Sequence, residues 1–254
     1  MNIKISGSGT SIVFLHGYCE TMAIWTDYAA ALSLQYEVIL VDLPGHGQSK
    51  LIVDDFSIDD IADLIQEELS DHGIDEYFVI GHSLGGYVAL SLADNYPDSV
   101  LGFGLFSSTT LADDEEKKKV RDKVKEYIQN HGVKSFMNSF LEGLFAPENR
   151  RRFASEIGEI KKAAIQTPAA SVIAYAMAMK KRIDRTYVLS DCQKPVFIIA
   201  GERDMAVRLE TSQEMIQKIN NGDSLILKGV GHNGFLENKN DSLNFIKSFI
   251  NQYL

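Results

Sequence analysis

Short unbroken apolar runs alternate along the chain with stretches in which apolar residues recur every three or four positions. The runs 11–15 (SIVFL), 37–41 (EVILV), 77–80, 100–106 and 195–200 (PVFIIA) are rich in Val, Ile and Phe. Such runs predict strands of a mostly parallel sheet, covered on both faces. Residues 3–6 and 224–228 predict a short first strand and a last one. Between the runs, Trp25, Tyr28, Ala29 and Leu32 fall at helical spacing within 22–34. Ser57 opens a further helix as its N-cap, with Asp60 where a capping box wants an acid. Ile58, Ile61, Ile65 and Leu69 form its apolar stripe, and Gly73 ends it. Helices are also predicted over 84–95, 209–220 and 242–253.

The rhythm changes between Leu111 and Tyr187, where the pattern contains no strand. The charged run DDEEKKKVRDKVKEYIQNHG predicts one long helix ending at Gly132. Three more follow over 133–144, 151–164 and 169–181. The expected architecture is therefore α/β, a three-layer sandwich with a mostly parallel sheet. Residues 1–110 and 188–254 form its core, and 111–187 is an inserted all-helical cap. No repeat, low-complexity tract or long linker divides it.

Composition adds exclusions. The chain has 254 residues, 45% hydrophobic and 24% charged, which fits a folded domain. Its formal net charge of -10 repels a phosphate backbone, so nucleic acid is not expected as a partner. Lys117, Lys118 and Lys119, and Arg150, Arg151 and Arg152, read as solvated helix faces. Two cysteines make no disulfide framework. The N-terminus lacks a long apolar segment and no run reaches membrane-spanning length, so a cytoplasmic setting without a membrane partner is expected. No His/Glu/Cys cluster has metal-ligand spacing, and neither a metal nor another cofactor is expected. A monomer or small homo-oligomer is expected.

The most informative segment is VIGHSLGGYVAL, where Gly81, Ser83 and Gly85 make G-x-S-x-G between a strand and a helix. A turn this tight strains the central residue, and glycine two positions to either side removes the clash of side chains. Ser83 is thus the candidate nucleophile. It needs a base, and six histidines are available. His72 and His131 precede glycines at helix ends and read as caps. His16 and His46, in tight glycine-containing loops, read as backbone supports, and the turn aims His82 away from its neighbour Ser83. His232, in GVGHNGF after the last strand, is left as the base. Asp204, in GERD after 195–200, is the expected acid, with Glu202 as rival; Asp191 lies at the wrong strand end. The Leu84 N–H at the helix start and the Tyr18 N–H after 11–15 are the expected oxyanion donors, and Cys19 contributes there or lines the pocket.

The segments FLHGY, DLPGHGQS, GHSLGG, GERD and GVGH together resemble the landmarks of the α/β-hydrolase superfamily. The resemblance covers residues 11–107 and 195 to the end. It implies an oxyanion loop at His16, Gly17 and Tyr18, a triad of Ser83, Asp204 and His232, a structural loop at Pro44, Gly45, His46 and Gly47, and a cap over 111–187. Its members attack esters or thioesters through an acyl-enzyme. Relatives with the same triad cleave carbon–carbon bonds, act as menaquinone-pathway lyases or form peracids, and others on this fold only bind small ligands. Relatives with an aspartate nucleophile are excluded by Ser83. The expected substrate is a small-molecule ester with a small to medium apolar acyl group. Its pocket is expected among Phe140, Phe145, Tyr175 and Met177, which fall on apolar helical faces of the insert. If the substrate carries a carboxylate, Arg182, Arg185 and Arg152 are the candidate partners.

Overall fold

The computed structural model describes residues 1–50 and 55–253. Seven strands form one sheet: β1 (Asn2–Ser6), β2 (Ser11–Leu15), β3 (Glu37–Asp42), β4 (Tyr77–His82), β5 (Val100–Phe106), β6 (Val196–Gly201) and β7 (Gly222–Leu227). Their order is β1-β3-β2-β4-β5-β6-β7. Only β1 runs antiparallel, pairing β3 at the edge from Asn2 opposite Asp42 to Ser6 opposite Val38. The chain moves from β2 out to β3 and then back across β2 to β4. That reversal leaves a crevice beyond the carboxyl ends of β2 and β4, where open α/β sheets bind ligands.

Ten α-helices occur among the described residues: α1 (Thr26–Leu32), α2 (Ile58–Asp71), α3 (Leu84–Asn95), α4 (Glu115–Phe140), α5 (Ala154–Ala164), α6 (Ala169–Lys181), α7 (Tyr187–Asp191), α8 (Leu209–Ile216), α9 (Gly234–Glu237) and α10 (Lys239–Tyr253). Alternation along the strands feeds two cores. Ile12 and Phe14 of β2 face Trp25 and Tyr28 on α1's side and Phe249 of α10. Val13 and Leu15 face the opposite way, toward α2 and α3. Burying each such large side chain stabilises the fold by about 1.5–3 kcal/mol. The capping box forms as expected, with Asp60 N–H donating to Ser57 Oγ at 3.1 Å and Ser57 N–H to Asp60 Oδ2 at 2.7 Å.

Residues 111–187 contain helices and no strand among the described residues. The helix expected to stop at Gly132 does not stop. Gly132 takes φ 75° and ψ 165°, the axis kinks, and helical backbone resumes at Val133. Residues 141–144 are a tight 3-10 turn, and α5 begins at Ala154, three residues later than expected. Polar ties bind this segment to the loops and helices around the sheet. Tyr18 OH donates to Val172 O at 2.6 Å, His232 N–H to Leu144 O at 2.8 Å, and Arg185 pairs with Asp59 and Asp94.

Candidate active site

Ser83 sits between β4 and α3 with φ 49° and ψ -112°, a left-handed conformation rare for a residue with a side chain. The flanking glycines make the turn possible. A Cβ on Gly81 would lie 2.1 Å from Gly85 O, and one on Gly85 would lie 2.5 Å from Leu15 O. The turn is pinned by Ser83 N–H donating to Phe106 O at 2.9 Å and Ser108 Oγ–H donating to Ser83 O at 2.7 Å.

His232 follows β7, and its Nδ1 meets Asp204 Oδ2 at 2.8 Å. Asp204 is itself fixed: its Oδ1 accepts from the Ala206 and Val207 N–H groups at 2.8 and 2.9 Å. Glu202 is committed elsewhere, accepting from Gly229 N–H at 2.8 Å. Burial disfavours the imidazolium of His232. The Asp204 carboxylate outweighs it, Glu20 and Glu237 add to the effect, and the pKa ends above the ordinary 6.5. With Nδ1 held by the acid, Nε2 is the nitrogen left to face Ser83, with which His232 shares one cavity wall.

The loop after β2 supplies the other wall. Gly17 N–H donates to Glu20 Oε2 at 2.6 Å, Cys19 N–H to His46 Nε2 at 3.2 Å, and Glu20 N–H to Gly17 O at 3.2 Å. The Tyr18 N–H has no partner among the described residues, and neither has the Leu84 N–H at the start of α3. His16 and His46 are fully buried; burial lowers both pKa values, so both rings are neutral and serve as acceptors. His16 Nε2 accepts from Leu43 N–H at 3.0 Å.

Behind His232 stand Glu20, to which nothing in the sequence points, and His82, which the sequence sets aside as a base without assigning it a role. Glu20 Oε2 lies 2.9 Å from His82 Nδ1, and His82 Nε2 lies 3.1 Å from His232 O. The His82 and His232 ring centroids lie 4.9 Å apart with their planes tilted by 55°. Burial pushes the Glu20 carboxyl up, but His82 and the Gly17 N–H prevail and hold its pKa below the ordinary range. Glu20 therefore braces the loop after β2, through His82, against the loop that carries His232. Glu20→Gln is expected to lower kcat roughly ten- to a hundredfold, the scale of a small misplacement of reacting groups. It should also move the acidic limb of the pH–rate profile to lower pH, because a charge that raises the His232 pKa is gone. An unshifted profile with normal kcat contradicts the brace.

A cavity of about 220 Å³ holds Ser83 and His232. Tyr18, Phe140, Leu144, Met179 and Val207 give it apolar walls. Phe140 was expected there, but the other pocket residues are corrected. Cys19 is wholly buried within the loop, where it serves as a small hydrophobe, as free cysteines usually do. Phe145 is buried in the core. Tyr175 packs on His46 and Phe56 at 4.7 and 4.8 Å. Met177 packs against the core, and Met179, two residues along α6, takes the cavity wall instead. Of the arginines named as carboxylate partners, Arg185 is spent on Asp59 and Asp94, and Arg152 lies over the Phe153 ring at 5.1 Å. Arg182 does reach the cavity wall, together with Arg121 and with Lys117, which is exposed as expected and stands at the cavity rim.

The alpha/beta hydrolase fold model matches residues 10–239, and the chain belongs to that family. Among curated proteins it is 26% identical to a pimeloyl-[acyl-carrier protein] methyl ester esterase of Wigglesworthia glossinidia brevipalpis, over 98% of this chain and 97% of the relative. It is 28% identical to a 2-(acetamidomethylene)succinate hydrolase of Mesorhizobium japonicum, over 82% and 76% of the two chains. Among solved structures, a thermophilic esterase from Thermogutta terrifontis superposes with a TM-score of 0.94 at 23% identity, covering 99% of this chain and 93% of the other.

Proposed function

We propose that the chain hydrolyses carboxylic esters of small to medium acyl groups through an acyl-enzyme on Ser83. Relatives that match nearly its whole length carry the name of an ester hydrolase. The observation that carries the reading is one cavity holding a strained Ser83 beside a His232 whose Nδ1 is taken by Asp204. Ser83 Oγ attacks the carbonyl carbon while His232 Nε2 takes its proton. The oxyanion meets the N–H groups of Leu84 and Tyr18, each such donor contributing about 3 kcal/mol. Collapse expels the alcohol, which leaves with the proton from His232. Water, deprotonated by the same nitrogen, then releases the acid and restores Ser83.

The helical insert acts in this reading as the roof that sets acyl size, through Phe140, Leu144 and Met179. No helix among the described residues is long and apolar enough to cross a membrane. The two free cysteines suit a reducing, cytoplasmic setting.

The pH dependence of kcat/KM on p-nitrophenyl butyrate tests the base. Only neutral His232 accepts the serine proton, and its pKa is raised. Activity should therefore climb with pH through a midpoint above 6.5 and level off beyond it. A rate already at its plateau by pH 5, with chemistry limiting, contradicts His232 as base.

A further inference from the structure

The charge inside the cavity runs against the charge of the molecule. The chain as a whole carries -10. Yet the cavity wall, among the described residues, presents Lys117, Arg121 and Arg182 against a single acid, Asp113. The Asp113 carboxyl is fully buried, and although burial pushes its pKa up, Arg121 and Arg182 hold it below the ordinary range. It is thus a fixed anion shared by two guanidinium groups.

The two arginines are not equivalent. Arg182 donates Nε to Leu111 O at 3.0 Å, and Nη1 to Asp113 Oδ1 at 2.7 Å and to Met179 O at 2.8 Å. Its plane lies over the Tyr87 ring at 4.2 Å and its side chain is 4% exposed. That arginine is structural. Arg121 makes one hydrogen bond among the described residues, Nε to Asp113 Oδ2 at 3.0 Å, and its side chain is 22% exposed. A guanidinium has five donors in a rigid fork. With Nε tied to Asp113, the end formed by Nη1 and Nη2 is oriented and unclaimed. Lys117, one turn earlier on α4, adds a second cation at the rim.

An oriented guanidinium end on a cavity wall that also carries Phe140, Leu144 and Val207 matches the geometry of a carboxylate, which accepts two parallel N–H bonds. We propose that Arg121 is a specificity residue for esters whose acyl chain ends in a carboxylate, that is, half-esters of short dicarboxylic acids. The proposal rests on the ester-hydrolase reading above. At about 220 Å³ the cavity falls below the roughly 300–1,000 Å³ of pockets for drug-sized ligands, so a long acyl chain is disfavoured. The ester carbonyl at Ser83 and a carboxylate at Arg121 are then joined by a chain of only a few carbons, with Phe140, Leu144 and Val207 along its sides.

The test compares monomethyl glutarate with methyl pentanoate, which has the same chain but ends in a methyl group, at about 0.15 M salt so that long-range charge is screened. The wild-type protein should prefer the half-ester by about 10- to 100-fold in kcat/KM, expressed mainly in KM, the scale of charge-assisted hydrogen bonds. In Arg121→Gln that ratio should fall to near one. Arg121→Lys, which keeps the charge and loses the fork, should fall between them. Calorimetric titration with glutarate gives a readout independent of turnover, and Arg121→Gln should weaken binding at least tenfold. Equal kcat/KM for the two esters in the wild type, or a preference or glutarate affinity that survives in Arg121→Gln, overturns the proposal. If neither ester is turned over and Ser83 resists a fluorophosphonate, the hydrolase reading fails. The titration then decides the subsite: Arg121-dependent glutarate binding supports it, and no binding at millimolar glutarate overturns it.

Discussion

Ser83→Ala is expected to abolish ester hydrolysis while leaving the fold in place. In the proposed mechanism the hydroxyl is the atom that forms the acyl bond, so its removal leaves no nucleophile on the turn. Ser108 Oγ, just past the end of the adjacent strand, is spent on Ser83 O. The loss should be on the scale of about a million-fold in kcat, as when a triad serine is removed in another enzyme. The turn itself depends on Gly81 and Gly85 and on hydrogen bonds to the Ser83 N–H and C=O, none of which involves Ser83 Oγ. Circular dichroism and the thermal midpoint should therefore stay close to wild type. Appreciable residual turnover in the pure variant would move the nucleophile elsewhere.

Asp204→Asn should cost about ten-thousand-fold in kcat, the loss known for the corresponding change in another triad. The physical reason lies at one hydrogen bond. Asp204 Oδ2 accepts from His232 Nδ1 at 2.8 Å and so fixes the tautomer with Nε2 free. An amide nitrogen placed there donates instead, the proton moves to Nε2, and the ring can no longer take one from serine. The amide oxygen still accepts from Ala206 and Val207, so the turn should hold. The carboxylate that raises the His232 pKa is also removed, and any remaining activity should rise at lower pH than in the wild type. Near-normal kcat would shift the acid role to Glu202, although that side chain is bonded to Gly229 N–H.

The parts of this molecule that are local in sequence were legible there. The strands follow from unbroken apolar runs, and the edge strand β1 was recognisable despite its length. The nucleophile turn carries its own explanation in two glycines. Asp204 and His232 each follow a strand, which is enough to bring them to one end of a parallel sheet. Gly132 was misread because a glycine that ends one helix and a glycine that kinks a continuing one look alike until the next turn forms. Helices α7 and α9 are too short to show a period.

The pocket was less legible for a different reason. Helix α6 is apolar nearly all round, so hydrophobicity alone does not say which side meets the cavity. Met177 and Met179 stand on well-separated faces of one helix, and only the packing of α6 on α4 decides between them. Arg121 lies in a run of alternating charge whose neighbours are mostly solvated. Its environment depends on Asp113 and on cap packing. The Glu20–His82 pair joins residues 62 positions apart and leaves no local pattern.

The most direct measurement of the central claim is the site and rate of fluorophosphonate labelling, read by mass spectrometry of the intact chain and of its peptides. An activated serine reacts quickly, whereas an ordinary hydroxyl at its free pKa does not. The account predicts one adduct per chain, mapped to Ser83, absent in Ser83→Ala and slowed by several orders of magnitude in Asp204→Asn. An adduct on another residue, or no reaction of Ser83 in the folded wild-type protein, would contradict it.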